Sequence, residues 1–186
     1  MKTSSKSGRR LLPLSKAGLL SRLQGGDRRS IGRSNEVTGL VLKHPRLFSA
    51  LVEGMWHQDS QVRMRAADVV EKVSRSEPVW LKPFKVELLG LMAETRQHEL
   101  RWHLALIAPR LPLTAQERRR AVEMLHCYLE DRSSIVKTFA MQGLADLASS
   151  DAELRPAIIE LLRKLTGSGT PAMKARGRKL LSQLQP

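Results

Sequence analysis

Apolar positions recur along this chain with two nested periods. The short period is helical: Val62, Ala66, Val69, Val70 and Val73 are spaced by steps of three and four and fall on one face of a helix. The long period is a repeat. Val62-Arg63, Leu100-Arg101, Val136-Lys137 and Met173-Lys174 each set an apolar residue before a base, and the bases are spaced by 38, 36 and 37 residues. The apolar phase continues in every copy. It runs through Leu104, Ile107, Ala108 and Leu111, then Ala140, Gly143, Leu144 and Leu147, then Gly177, Leu180, Leu181 and Leu184. A small residue one turn into the helix, such as Ala66, Ala140 or Gly177, lets a neighbouring helix approach closely.

Each copy follows a second amphipathic segment: Pro45 to His57, Pro78 to Thr95, Thr114 to Glu130 and Ala152 to Leu165. Pro45 and Pro78 sit where a first helical turn tolerates proline. Thr114 with Glu117 reads as a capping box. Short polar linkers are expected at Gln58-Asp59-Ser60, Asp131-Arg132-Ser133 and Gly167-Ser168-Gly169-Thr170. Upstream lies a more basic and less regular unit, with helices over Leu14 to Gln24 and Ile31 to Leu42 around a Gly25-Gly26-Asp27 turn. The pattern predicts an all-α stack of four to five helical hairpins forming one domain over 14–186. The units fall at about 14–43, 45–75, 78–110, 114–149 and 151–185, after a basic tail over 1–13 that is expected to be flexible.

The run Asp59-Ser60-Gln61-Val62-Arg63-Met64-Arg65-Ala66-Ala67-Asp68-Val69-Val70 resembles the second half of a HEAT repeat. In that family an Asp turn leads into Val-Arg and an Ala-rich helix. The resemblance spans roughly residues 28–186 and is sharpest at this copy. Elsewhere it is degenerate: Leu104 stands where a small residue is expected, and two extra residues separate Asp131 from Lys137. A tetratricopeptide array would need a strict 34-residue period and a Trp-Leu-Gly-Tyr pattern, and neither is present. The chain is also similar to small bacterial HEAT-containing proteins.

This resemblance implies a right-handed, armadillo-like α-α superhelix whose second helices line a concave face. It implies a non-enzymatic scaffold that binds a protein partner there. In such repeats the base after the Val commonly pairs with a neighbouring turn Asp, so Asp59, Arg63 and Asp131 are expected to form a structural ladder. Direct ligand contact by the same column, Arg63, Arg101, Lys137 and Lys174, is the other reading. Arg65, His103 and Arg176 lie two positions further along and are expected on a solvent-facing stripe. With Arg101, Trp102 and Lys137 they make up the candidate concave binding face. Trp102 reads either as an exposed partner hot spot or as ordinary packing. Trp56 and Trp80 are expected to plug gaps between repeats.

Composition narrows the class further. The 186 residues suit one domain, and only 4% are aromatic, so the core must be aliphatic helix on helix. The net charge of +14 is uneven: residues 1–35 carry +8, residues 36–160 carry none, and residues 161–186 carry +6. Basic ends keep a nucleic-acid-binding module open as the alternative function. Cys127 alone excludes an internal disulfide, fits a reducing compartment, and is expected to be a small buried hydrophobe. No apolar run is long enough to span a membrane, and the start lacks the apolar core of a secretory signal, so the expected location is cytoplasmic. The Ser- and Arg-rich start also has the composition of a transit peptide, although helix-forming residues begin as early as Leu11.

No catalytic or cofactor motif stands out. His98 and His103 are five apart and diverge on a helix, and His126 and Cys127 are adjacent and point apart, so no metal set or cofactor is expected. No glycine-rich phosphate loop or nucleophile elbow is present. One enzymatic reading is left, because HEAT-like glycosylases for alkylated DNA use a concave-face carboxylate and aromatics. Asp68, Asp146 and Trp102 are the residues that could serve, although Asp68 reads more simply as a surface acid.

Overall fold

The computed structural model describes residues 15–27 and 30–185. The predicted tail over 1–13 lies outside the described residues. Ten α-helices among the described residues pair into five hairpins. The first links α1 (Lys16–Ser21) to α2 (Ser34–Lys43), with α1 packed mainly against the first helix of the next unit. The second runs from a 3-10 turn at Pro45–Leu47 into α3 (Phe48–Gly54), then α4 (Ser60–Ser76). The third runs from a 3-10 turn at Pro78–Phe84 into α5 (Lys85–Glu94), then α6 (His98–Ile107). The fourth is α7 (Ala115–Leu129) with α8 (Ser134–Ser149), and the fifth is α9 (Arg155–Ser168) with α10 (Pro171–Leu184).

Local chemistry explains most boundaries. Pro45 and Pro78 open 3-10 turns rather than α-helices, and Pro83, which lacks an N–H, delays α5 until Lys85. Asp59 caps α4 by accepting the Gln61 N–H at 2.8 Å. The Thr114 capping box is present in both directions: Thr114 accepts from the Glu117 N–H at 3.3 Å, and Glu117 accepts from the Thr114 N–H at 2.7 Å. The glycine-containing linker at 167–170 is shorter than expected. The α9 helix continues through Ser168, and the Gly169 N–H still bonds to the Leu165 carbonyl at 2.9 Å. Only Gly169 and Thr170 turn the chain, and Thr170 caps α10.

The second helices α2, α4, α6, α8 and α10 pack each on the next, and the first helices cover them on one side. Helix α4 lies between α2 and α6 with α3 against its flank, which is why Val62, Ala66, Ala67, Val69, Val70 and Val73 are all fully buried. One continuous aliphatic core runs from Leu19 to Leu184. Close approach is needed where α8 meets α6: a Cβ on Gly143 would collide with the Ala105 carbonyl oxygen.

The first hairpin is tied to α4 by Arg65. This residue was expected on a solvent-facing stripe, but it is only 1% exposed. Its guanidinium donates to the carbonyls of Leu23 (2.7 Å), Gly25, Asp27 (2.9 Å) and Ser30 (3.1 Å). The loop between α1 and α2 can wrap so tightly because Gly25, Gly26 and Gly32 take positive φ. The forked guanidinium supplies enough donors to satisfy several inward-turned carbonyls at once.

Two glycines test this packing in opposite directions. Gly143→Ala should destabilise the fold by about 1–3 kcal/mol, because the clash is with backbone that cannot move aside. Gly90→Ala on α5, where nothing lies within 4 Å of the new methyl, should stabilise it by up to about 1 kcal/mol. Denaturant midpoints of the two variants should therefore move to opposite sides of wild type.

Candidate binding face

The repeat register sets three rows across the second helices. Level with Arg65 come His103, Phe139 and Arg176. Level with Asp68 come Leu106, Gln142 and Lys179, and level with Lys72 come Arg110, Asp146 and Gln183. The two halves of this face differ in how far its groups are already satisfied.

On α4 the polar groups are largely occupied by one another. Asp68, read from sequence as a surface acid, is buried and receives Lys72 at 2.7 Å, and Lys72 also reaches Asn35 at 2.8 Å. Glu71 is buried and receives Arg75 at 2.6 Å and Arg110 at 2.9 Å. Arg110 also donates to the Glu71 carbonyl and the Ser74 hydroxyl, both at 2.9 Å. Burial works against the Glu71 charge, but the Arg75 and Arg110 hydrogen bonds outweigh it and hold the carboxyl below its usual range. His103, also expected on the open stripe, is buried instead, and its Nδ1 has no hydrogen-bond partner. Helix packing accounts for both displaced residues: the α1–α2 loop covers Arg65, and burial against α4 removes His103 from solvent.

Across α6, α8 and α10 the face is more open. Trp102 is half-buried, packed on the rim of the core edge-on to His103, with the ring centroids 5.6 Å apart. Leu106, one turn further along α6, and Phe139 on α8 are half-buried as well. Arg176 lies over the Phe139 ring at 5.6 Å and donates to Gln142 at 2.8 Å. Gln142 in turn donates to Asp146 at 2.7 Å. Asp146 makes no ion pair among the described residues, and burial pushes its carboxyl upward, against the Gln142 hydrogen bond and the charges of Arg110 and Arg176.

The column of repeated bases lies at the N-terminal ends of the second helices, beside the turns. Arg63 donates to Gln97 at 2.8 Å and to the His57 and Gln58 carbonyls at 2.7 and 2.9 Å. Gln97 stands in its hairpin where Asp59 stands in the preceding one, and it returns a bond to the Ser60 carbonyl at 2.9 Å. Asp59 itself caps its own helix rather than receiving a neighbouring arginine. Arg101 reaches across to Asp131 at 2.7 Å, holds the Thr95 carbonyl at 2.9 Å and lies over the Tyr128 ring at 5.2 Å. His98 lies 2.8 Å from the same carboxylate. Lys137 and Lys174 are half-buried, and their ammonium groups make no hydrogen bond or ion pair among the described residues.

Other expectations are corrected. Cys127 is exposed because α7 turns that side to solvent. Trp56 is 46% exposed and plugs no gap, whereas Trp80 packs edge-on to Phe48 at 5.7 Å. Asp68 and Asp146 lie on α4 and α8 with α6 between them, so they form no shared carboxylate site. Among the described residues no group of three or more His, Cys, Asp or Glu is placed to share a metal ion. Phe139, Gln142, Leu106 and Arg110 were not singled out from sequence. Carrying the repeat register along each helix, rather than following the bases, would have found them.

The fold is that of an armadillo- or HEAT-like helical repeat protein. No family model matches the chain, and no curated protein matches it. Among solved structures, an engineered protein from the Northeast Structural Genomics Consortium is 17% identical, with a TM-score of 0.64 over 90% of this chain and 80% of that one. A designed armadillo repeat protein in complex with the peptide (KR)4 is 14% identical, with a TM-score of 0.58 over 91% of this chain and 81% of that one. Designed armadillo repeat proteins for modular peptide recognition match at a TM-score of 0.52 and 14% identity, over 90% of this chain and 81% of that one. No helix among the described residues is long and apolar enough to cross a membrane.

His103 makes stability depend on pH. Burial pushes its pKa down from 6.5 to about 4, against the nearby charges of Asp68 and Glu71. The unfolded chain therefore binds this proton more readily, and stability present above pH 6.5 is lost as pH falls toward 4. Between pH 7 and pH 5 the loss should be about 2 kcal/mol, and His103→Gln should flatten that limb in denaturant titrations. An unchanged acid limb in the variant would show that His103 is not the titrating group.

Proposed function

We propose that this protein is a non-enzymatic scaffold that holds a protein partner along the face of α6, α8 and α10. The observation that carries this reading is the contrast between the two halves of that face. The polar groups on α4 are occupied by each other, whereas Trp102, Leu106 and Phe139 offer half-buried apolar surface beside Gln142 and Asp146, which keep acceptor capacity. Aromatic side chains held rigidly beside polar groups are the usual anchors of protein interfaces. The likeness to armadillo repeat proteins designed for peptide recognition supports an extended segment as the occupant. The glycosylase reading is disfavoured, since Asp68 is already bonded to Lys72 and stands apart from Asp146.

Site-specific cross-linking tests this face. A photoreactive residue at Leu106 should capture a discrete protein partner in cells, whereas one at Val86, on the opposite layer, should not. In the Trp102→Ala/Phe139→Ala variant, with folding checked by circular dichroism, capture should fall at least tenfold, as for loss of two interface anchors. Capture that is equal at Val86, or that survives the double substitution, would sink the reading.

A further inference from the structure

The last hairpin carries charge that the protein itself leaves uncompensated. From residue 161 to the end there are six Lys or Arg and no Asp or Glu. Lys164, Lys174, Arg178 and Lys179 make no side-chain hydrogen bond or ion pair among the described residues, and all but the half-buried Lys174 are exposed. Elsewhere in the stack many bases are held by partners, as Arg63, Arg101 and Arg110 are, and the charges of residues 36–160 cancel.

The helices bring these bases together. Gly177 packs against Thr166, where a Cβ would collide with the threonine hydroxyl, and this sets the register of α9 on α10. In that register Lys164 stands level with Arg178 and Lys179, and Lys174 lies one turn from Arg178 on α10. Arg163 is on α9 at the same level and has only the exposed Glu160, at 3.4 Å, as counter-charge. A rigid hairpin presenting several like charges repels itself, and an anion spanning them relieves that repulsion.

We propose that the α9–α10 hairpin is a nucleic-acid contact that binds the phosphate backbone without reading sequence. This surface adjoins the protein-binding face proposed above along α10, where Arg176 and Lys179 continue its rows, but it rests on the unpaired bases and not on that reading. An anionic membrane is the less fitting polyanion, because membrane-surface helices set large apolar side chains beside their bases. The exposed large apolar residues among the described ones are Ile31, Leu42, Trp56, Val79, Val86 and Ile135, and none is on α9 or α10. Arg176, stacked on Phe139 at the edge of the same hairpin, adds a cation and an aromatic face on which a strand could continue.

The test is fluorescence anisotropy of a labelled 20-base-pair duplex titrated with the full chain over a series of salt concentrations. Four phosphate contacts predict a slope of log K against log salt of about −3.6, from about −0.9 per contact. The Lys164→Gln/Arg178→Gln/Lys179→Gln variant should lose about 2.7 of that slope and at least tenfold in affinity at 0.1 M salt. A second variant neutralises Lys2, Lys6, Arg9 and Arg10 and should keep the hairpin's share of the slope. If only this second variant loses binding, the proposal is overturned. It is likewise overturned by no duplex binding at 50 mM salt, or by binding only to phosphatidylserine vesicles.

Discussion

A two-helix hairpin has one apolar stripe more than it can cover, so each hairpin here depends on its neighbours. The second helices take the burden, because each must present apolar surface to the helix before it and the helix after it. Helix α4 shows the consequence most fully: between α2 and α6, with α3 on its flank, it buries charged and polar residues along with its valines. Every cation or carboxylate on such a helix must then find a partner or reach an edge. Gly143 marks the same demand between α6 and α8, where only the absence of a Cβ lets the backbones meet.

That constraint sorts the charges into those that hold the stack and those left for another molecule. Arg65 is drawn inside the α1–α2 loop, Glu71 is clamped by Arg75 and Arg110, and Arg101 crosses to Asp131. Apart from the exposed Arg75 these groups are buried or half-buried and hydrogen-bonded, and removing one member would strand the other. Helix α10 packs on α8 and α9, with no helix beyond it among the described residues. Asp146 keeps only Gln142, and from residue 161 onward the last hairpin carries six bases and no acid. The polar groups are satisfied at α4 and more open at the final hairpins.

The all-helical repeat plan was legible because the repeat is written in apolar spacing, and from α3 onward successive helices pack in pairs. The individual roles of polar residues were less so. Arg65, His103 and Arg176 occupy the same register in three copies, yet the first two are buried and only Arg176 reaches the half-open face. Asp59 and Asp131 both precede a Val-base pair, yet Asp59 caps its helix while Asp131 also receives Arg101. Cys127 and Trp56 looked like interior residues by type and face solvent instead.

The sequence by itself determined the all-helical stack, the boundaries set by Pro45, Pro78 and the Thr114 cap, and the basic ends, because each depends on neighbours along the chain. The tertiary structure alone decided which face stays open. A loop about 40 residues upstream of Arg65 supplies the carbonyls that bury it. Burial at the α4–α6 contact leaves His103 neutral, and α10 brings Arg176 onto Phe139. Burial and pairing are properties of what lies across the contact, and a periodic pattern specifies only that some contact must be made.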